Sequence, residues 1–193
     1  MLKMMVGDAE NGYYTAAVTC ASICTFIYYA IIESLQPVIL KAKKDKSAEY
    51  EKNIIRLYSI ILFLTLLQGM GFMLLAGLIV RILYGLGYME AAPVLQILSW
   101  QVSFSFMGIV RNIWILAEGK QHLVWKINLV GALINVFVNA LLIPHWGACG
   151  AAFASLMTQV LMNFVLGFIT KDLRENNRLL LKGLNPKRIF DND

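Results

Sequence analysis

Apolar residues in this chain come in long runs and do not alternate with polar ones. Five runs reach the roughly 20 residues that a helix needs to cross a hydrocarbon core of about 30 Å. They extend from about Tyr13 to Leu40, Ile54 to Leu83, Ala92 to Ala117, Leu123 to Ile143 and Ala148 to Thr170. All are too long for strands and lack the period of two that strands show. Short breaks separate them, among them YGLGY (84–88), EGK (118–120) and PHWGACG (144–150). Glycine and proline in these breaks predict turns, and Pro144 is expected to end the fourth helix. The predicted fold is all-α and integral to a membrane, with five transmembrane helices. Residues 1–12 form an N-terminal segment, 13–170 the helical lobe and 171–193 a basic tail.

Composition sharpens this picture. The 193 residues are 59% hydrophobic and 15% charged, against about 45–50% and about 25% in ordinary globular domains. Net charge is +5, but the stretches 57–80 and 127–170 hold no Lys or Arg. The 41–52 loop carries Lys41, Lys43, Lys44, Lys46 and Lys52, with Arg56 just after. The 84–91 and 144–147 loops carry none, the 118–122 loop has Lys120, and the tail has Lys171, Arg174, Arg178, Lys182, Lys187 and Arg188. Basic residues therefore alternate from crossing to crossing. By the positive-inside rule the N-terminus is expected outside and the C-terminus inside a cytoplasmic membrane. Trp100, Trp114, Trp125, Trp146, Tyr84 and Tyr88 include several near span ends, where they can anchor at the interface. Basic clusters beside apolar runs suit a membrane surface and argue against nucleic acid as a partner. Two readings of the tail stay open: it lies on anionic lipid through Leu173, Leu179, Leu180 and Leu181, or it is a solvated end.

Polar residues inside the spans must face a neighbouring helix or a wet cavity. On the first helix Thr15, Thr19, Ser22, Glu33 and Gln36 follow steps of three and four. On the third, Gln101, Ser105, Gly108 and Asn112 form one stripe; Gln96, Ser99 and Ser103 form another, with Arg111 at its lower end. The fourth aligns Asn128, Gly131, Ala132, Asn135 and Asn139, and the fifth Ala148, Ala151, Ala152, Ser155, Gln159 and Asn163. Such stripes serve either as glue between helices or as a substrate path. The path candidates are Arg111, Glu33, Gln36, Asn112, Asn128, Asn135, Asn139, Gln159 and Asn163.

No catalytic constellation accompanies them. His122 and His145 sit in loops on opposite predicted sides, and neither a metalloprotease helix motif nor a phosphate loop occurs. Cys20, Cys24 and Cys149 form no paired framework. The N-terminus MLKMMVGDAENG is not a signal peptide. The expectation is no enzyme, no metal and no cofactor.

The segments LYGLGYMEAAPVLQILSW (83–100) and RNIWILAEGKQHLVWKINLVGALINVFVNALLIPHWGACGAAFAS (111–155) resemble a known family. So do VGDAENGYYTAA (6–17) and IIESLQPVI (31–39), the latter matching a helix that ends in a proline. The resemblance is to the C-terminal lobe of polysaccharide-biosynthesis flippases, within the multidrug/oligosaccharidyl-lipid/polysaccharide exporter superfamily. It implies a carrier with two six-helix lobes around a central cavity, moving a lipid-linked oligosaccharide of the polyprenyl diphosphate type between leaflets for capsule- or O-antigen-like export. The five helices then correspond to the eighth to twelfth, and Met1 to Val6 to the end of the seventh. The N-terminal lobe has no counterpart here, so a fragment, or a partner lobe supplied in cis or in trans, is expected. Arg111 is the residue expected to neutralise the diphosphate, with amides serving sugar hydroxyls. Two alternatives stay open: a multidrug or cation antiporter lobe, for which Glu33 is the acidic candidate, and a non-transporting membrane scaffold for glycan assembly.

Overall fold

All five apolar runs are helical in the computed structural model, which describes residues 1–184. α1 (Leu2–Val6) precedes α2 (Asp8–Ser22), α3 (Thr25–Lys44), α4 (Glu49–Tyr84), α5 (Ala91–Ala117) and α6 (His122–Val160). A π turn (Leu161–Val165), α7 (Leu166–Ile169) and α8 (Arg174–Gly183) follow, and no strand occurs among the described residues. Three stretches are long and apolar enough to cross a membrane: Glu49–Tyr84, Ala91–Ala117 and His122–Ile169. α2 and α3 supply a fourth if they act as one bent span. Lys187 and Arg188 of the predicted basic tail lie outside the described residues.

The last of these stretches is not a single rod. Asn135 Nδ2 donates to Thr158 Oγ1 at 3.2 Å, whereas a straight helix would separate these residues by about 34 Å. The chain therefore doubles back, and α6 has two antiparallel arms. The reversal occurs at Gly147 (φ 52, ψ −130), a conformation open to glycine and costly for residues with a Cβ. This corrects the expectation that Pro144 ends the helix. Helical geometry continues through Pro144, because a proline removes one backbone donor but keeps a helical φ. Beyond the turn, Glu10 Oε2 accepts the Ala148 N–H at 2.7 Å. A carboxylate there satisfies an orphan donor of the second arm and complements its dipole. Ala148, Ala151, Ala152 and Ala154 are buried, so small side chains let the arms approach closely.

Two further expectations are corrected. The first apolar run is broken between Ser22 and Thr25, with a 45° bend. No glycine or proline marks the break. Its freed carbonyls are met from nearby: Thr25 Oγ1 donates to Ser22 O at 2.7 Å and the buried Gln68 Nε2 to Ala21 O at 3.2 Å. Pro37, read as the end of that helix, lies inside α3, which runs on to Lys44.

α8 is also placed differently from the sequence reading. Leu173, Leu179 and Leu180 are buried in the protein core, and Leu181 is the exposed one of the four. Polar contacts hold the helix in place: Tyr58 Oη donates to Asn176 Oδ1 (2.8 Å) and Ser59 Oγ to Gly183 O (2.8 Å). The apolar face of the tail thus covers protein, while Arg174 and Arg178 stay exposed. Trp114 is fully buried and cannot anchor at an interface, whereas Trp125 and Trp146 are exposed.

At the α8 end, Lys43 Nζ meets Glu118 Oε1 at 2.6 Å and Tyr50 Oη donates to the same oxygen at 2.7 Å. Burial pushes the Glu118 carboxyl up, but the hydrogen bonds from Lys43 and Tyr50 and the charges of Lys43 and Lys120 outweigh it, leaving it below 4.5. A depressed carboxylate contributes stability above its unfolded value and loses it as pH falls through the folded one. Thermal unfolding in detergent should therefore show Glu118→Gln to be destabilised at neutral pH, by about 1 kcal/mol. The difference from wild type should shrink only on the acid side of 4.5. Gly147→Ala should cost about 2 kcal/mol in the same measurement, from strained backbone and collision with Glu10; an unchanged midpoint would refute the tight reversal.

Candidate functional site

Two helix arms with different side chains face each other across α5 and leave a cavity of about 350 Å³. α5 contributes Gln101 and Arg111, the first arm of α6 Asn128, Gly131 and Asn135, and the second arm Ser155, Thr158 and Gln159. The hairpin explains the meeting. Residues 128 and 135 sit two turns apart on one arm, and the reversal at Gly147 returns residues 155–159 to the same depth on the other. Gly131 leaves room for the Met162 side chain, which an added Cβ would approach to 3.3 Å.

Arg111 dominates the electrostatics. Only 7% of it is exposed, and it is wedged between α5 and the π turn. Nη1 donates to Met162 O at 2.7 Å and to Asn163 Oδ1 at 3.1 Å, while the buried Nε has no partner. Among the described residues no carboxylate lies within ion-pair distance of the guanidinium. Carbonyl and amide dipoles offset part of the cost of burying a charge, but they do not neutralise it. The cavity wall therefore combines a buried guanidinium with carboxamide and hydroxyl groups, a set chemically able to meet an anionic group that has hydrogen-bonding neighbours. No His, Cys, Asp or Glu cluster among the described residues is arranged to hold a metal.

The nine residues picked from the sequence divide between the cavity, its support and other surfaces. Arg111, Asn128, Asn135 and Gln159 line the cavity. Asn139 and Asn163 stand behind it: Asn139 Nδ2 donates to Asn135 Oδ1 (2.9 Å), and Asn163 Nδ2 donates to Gln159 Oε1 (3.2 Å). Glu33, Gln36 and Asn112 are not part of the wall. Glu33 is exposed on α3, and Gln36 and Asn112 are half-buried. Gln101 and Arg111 were assigned to different stripes of one helix, yet both reach the cavity; the length of the arginine side chain bridges the angle. Thr158 was missed. Its Oγ1 donates to Ala154 O at 2.8 Å, and only the hairpin turns it toward Asn135. The stripe of Gln96, Ser99 and Ser103 is helix glue: Gln96 Nε2 donates to Met73 O at 2.9 Å, and Ser103 Oγ lies 3.3 Å from Tyr28 Oη.

Residues 3–93 match the sequence profile of a family described as "Polysaccharide biosynthesis protein". An uncharacterized membrane protein of Methanocaldococcus jannaschii is 29% identical over 169 residues, covering 85% of this chain and 33% of the relative. The capsular polysaccharide biosynthesis protein CapF of Staphylococcus aureus is 26% identical over 160 residues, covering 82% of this chain and 40% of the relative. The chain thus spans between a third and two fifths of the length of these curated relatives. No solved structure matches it. With its apolar helices, the chain is thus similar to a membrane protein and to proteins described as acting in polysaccharide biosynthesis.

Proposed function

We propose that this chain is one lobe of a carrier that flips lipid-linked oligosaccharide across the cytoplasmic membrane. The observation that carries the reading is Arg111, a buried cation with no carboxylate partner among the described residues, facing a cavity walled by amides. A polyprenyl diphosphate head group supplies the matching charge, and its sugars supply hydroxyls for Asn128 and Gln101. The prenyl tail stays in lipid, so only the head group needs the polar path. In this reading the chain crosses the membrane five times: α2 with α3, α4, α5, and the two arms of α6 with the π turn and α7. The N-terminus is outside and the C-terminus inside. It corresponds to the C-terminal lobe within the exporter superfamily, and an opposite lobe, in cis or in trans, completes the cavity by rocking around the shared site. The chain acts as a carrier, not as an enzyme, and needs no cofactor.

A cation or drug antiporter would want a carboxylate in the cavity. Glu33 is not among the lining residues, which disfavours that reading. A scaffold for glycan assembly would have no use for a buried arginine that meets no carboxylate among the described residues.

The test is transport by the carrier formed with its opposite lobe. Arg111→Ala should reduce export of the lipid-linked glycan by about 30- to 100-fold, the effect of losing a charged hydrogen-bonding partner, while membrane insertion stays normal. Export at the wild-type rate would remove Arg111 and the flippase reading built on it. A reconstituted wild-type carrier that moves no glycolipid would favour the scaffold.

A further inference from the structure

We propose that Asn163 is a positioning residue that holds the Arg111 guanidinium and turns the Gln159 NH2 group toward the cavity, favouring phosphoryl groups over neutral or cationic ones. The inference rests on the anion-binding reading above and adds what fixes its polarity. Asn163 is 3% exposed and is not itself part of the cavity wall. Its side-chain amide is held at both ends. Oδ1 accepts from Arg111 Nη1 (3.1 Å), and Nδ2 donates to Phe104 O (2.8 Å) and Gln159 Oε1 (3.2 Å). Reversing the amide would set its oxygen against the Phe104 carbonyl and its nitrogen against the guanidinium, so one orientation is fixed.

That orientation propagates. Gln159 commits its oxygen to Asn163, which leaves its NH2 group for the cavity. A matching relay stands across the pocket. Asn139 Nδ2 occupies Asn135 Oδ1 at 2.9 Å, and Asn135 Nδ2 turns to Thr158 Oγ1 at 3.2 Å. The Asn135 and Gln159 amide oxygens thus each accept from an amide behind the wall. Arg111 has donors only. At Arg111 and Gln159 a phosphate oxygen meets N–H groups, whereas an ammonium meets only further donors. α5 is shaped for this arrangement: at Gly108, about one turn before Arg111, a Cβ would lie 2.9 Å from Asn163 Oδ1.

The experiment measures binding of farnesyl diphosphate and of farnesol, its neutral counterpart, to the purified full chain in a neutral detergent. Asn163→Asp keeps the shape but replaces the donor with a second carboxylate oxygen. It pairs with Arg111, opposes Phe104 O and frees Gln159 to rotate. Affinity for the diphosphate should fall at least about tenfold, with farnesol binding unchanged. Asn163→Ala removes both ends without adding charge; it should lose about threefold or more and decides the matter if the aspartate variant does not insert. Equal loss for both probes would show a merely structural role and overturn the proposal. So would wild-type diphosphate binding by both Asn163 variants while Arg111→Ala loses it, a result that keeps the anion site. No preference for diphosphate over farnesol in the wild type would overturn the anion site and, with it, the role of Asn163.

Discussion

A guanidinium held among apolar helices, with no counter-charge among the described residues, is the constraint from which the rest of this lobe follows. Burying such a group is costly unless dipoles surround it. Here Met162 O and Asn163 Oδ1 supply them, and both belong to the π turn at the end of the second arm. A π turn departs from regular helix and is commonly found at functional sites. On its other side Asn177 Nδ2 reaches Phe164 O at 3.4 Å, tying the same turn to α8. The charge, the irregular turn and the docked tail helix form one connected structure, and its open side is the cavity.

The hairpin makes that cavity possible. Without the reversal at Gly147 the asparagines of one arm and the Ser155–Gln159 segment of the other would lie far apart along one rod. The carboxylate of Glu10 ties the tip of the hairpin to α2. At the opposite end Glu118, in the turn after α5, ties together the last turn of α3 and the first turn of α4. The lobe is fastened by short polar contacts at its two ends, with two apolar clusters between them. That arrangement suits helices whose outer faces meet lipid, since lipid supplies no hydrophobic drive for helix association.

Much of this was legible in the sequence. Length and hydropathy placed helices along all five runs, and the seven- and four-residue spacing of Asn128, Asn135 and Asn139 put them on one face. What was not legible needed tertiary contacts. The break after Ser22 has no glycine or proline and depends on Gln68, 47 residues away. Proline at 37 and 144 suggested ends where helices continue, because proline fixes φ without forbidding a helix and the reversal needed the positive φ of a glycine. The leucines of α8 look the same whether they face lipid or protein; Asn176 meeting Tyr58 decides between them. Asn139 and Asn163 were picked as path residues, yet which side chain touches the cavity and which stands behind it is a matter of amide hydrogen bonding that spacing does not encode.

The central claim is that the cavity is wet and positively charged. A single cysteine at Ser155→Cys, in a chain with Cys20, Cys24 and Cys149 replaced by Ala, tests it through the rates of reaction with an anionic and a cationic methanethiosulfonate of similar size. The account predicts that the anionic reagent reacts severalfold faster, and that Arg111→Gln abolishes the preference. A cysteine that reacts with neither, or faster with the cation, would contradict it.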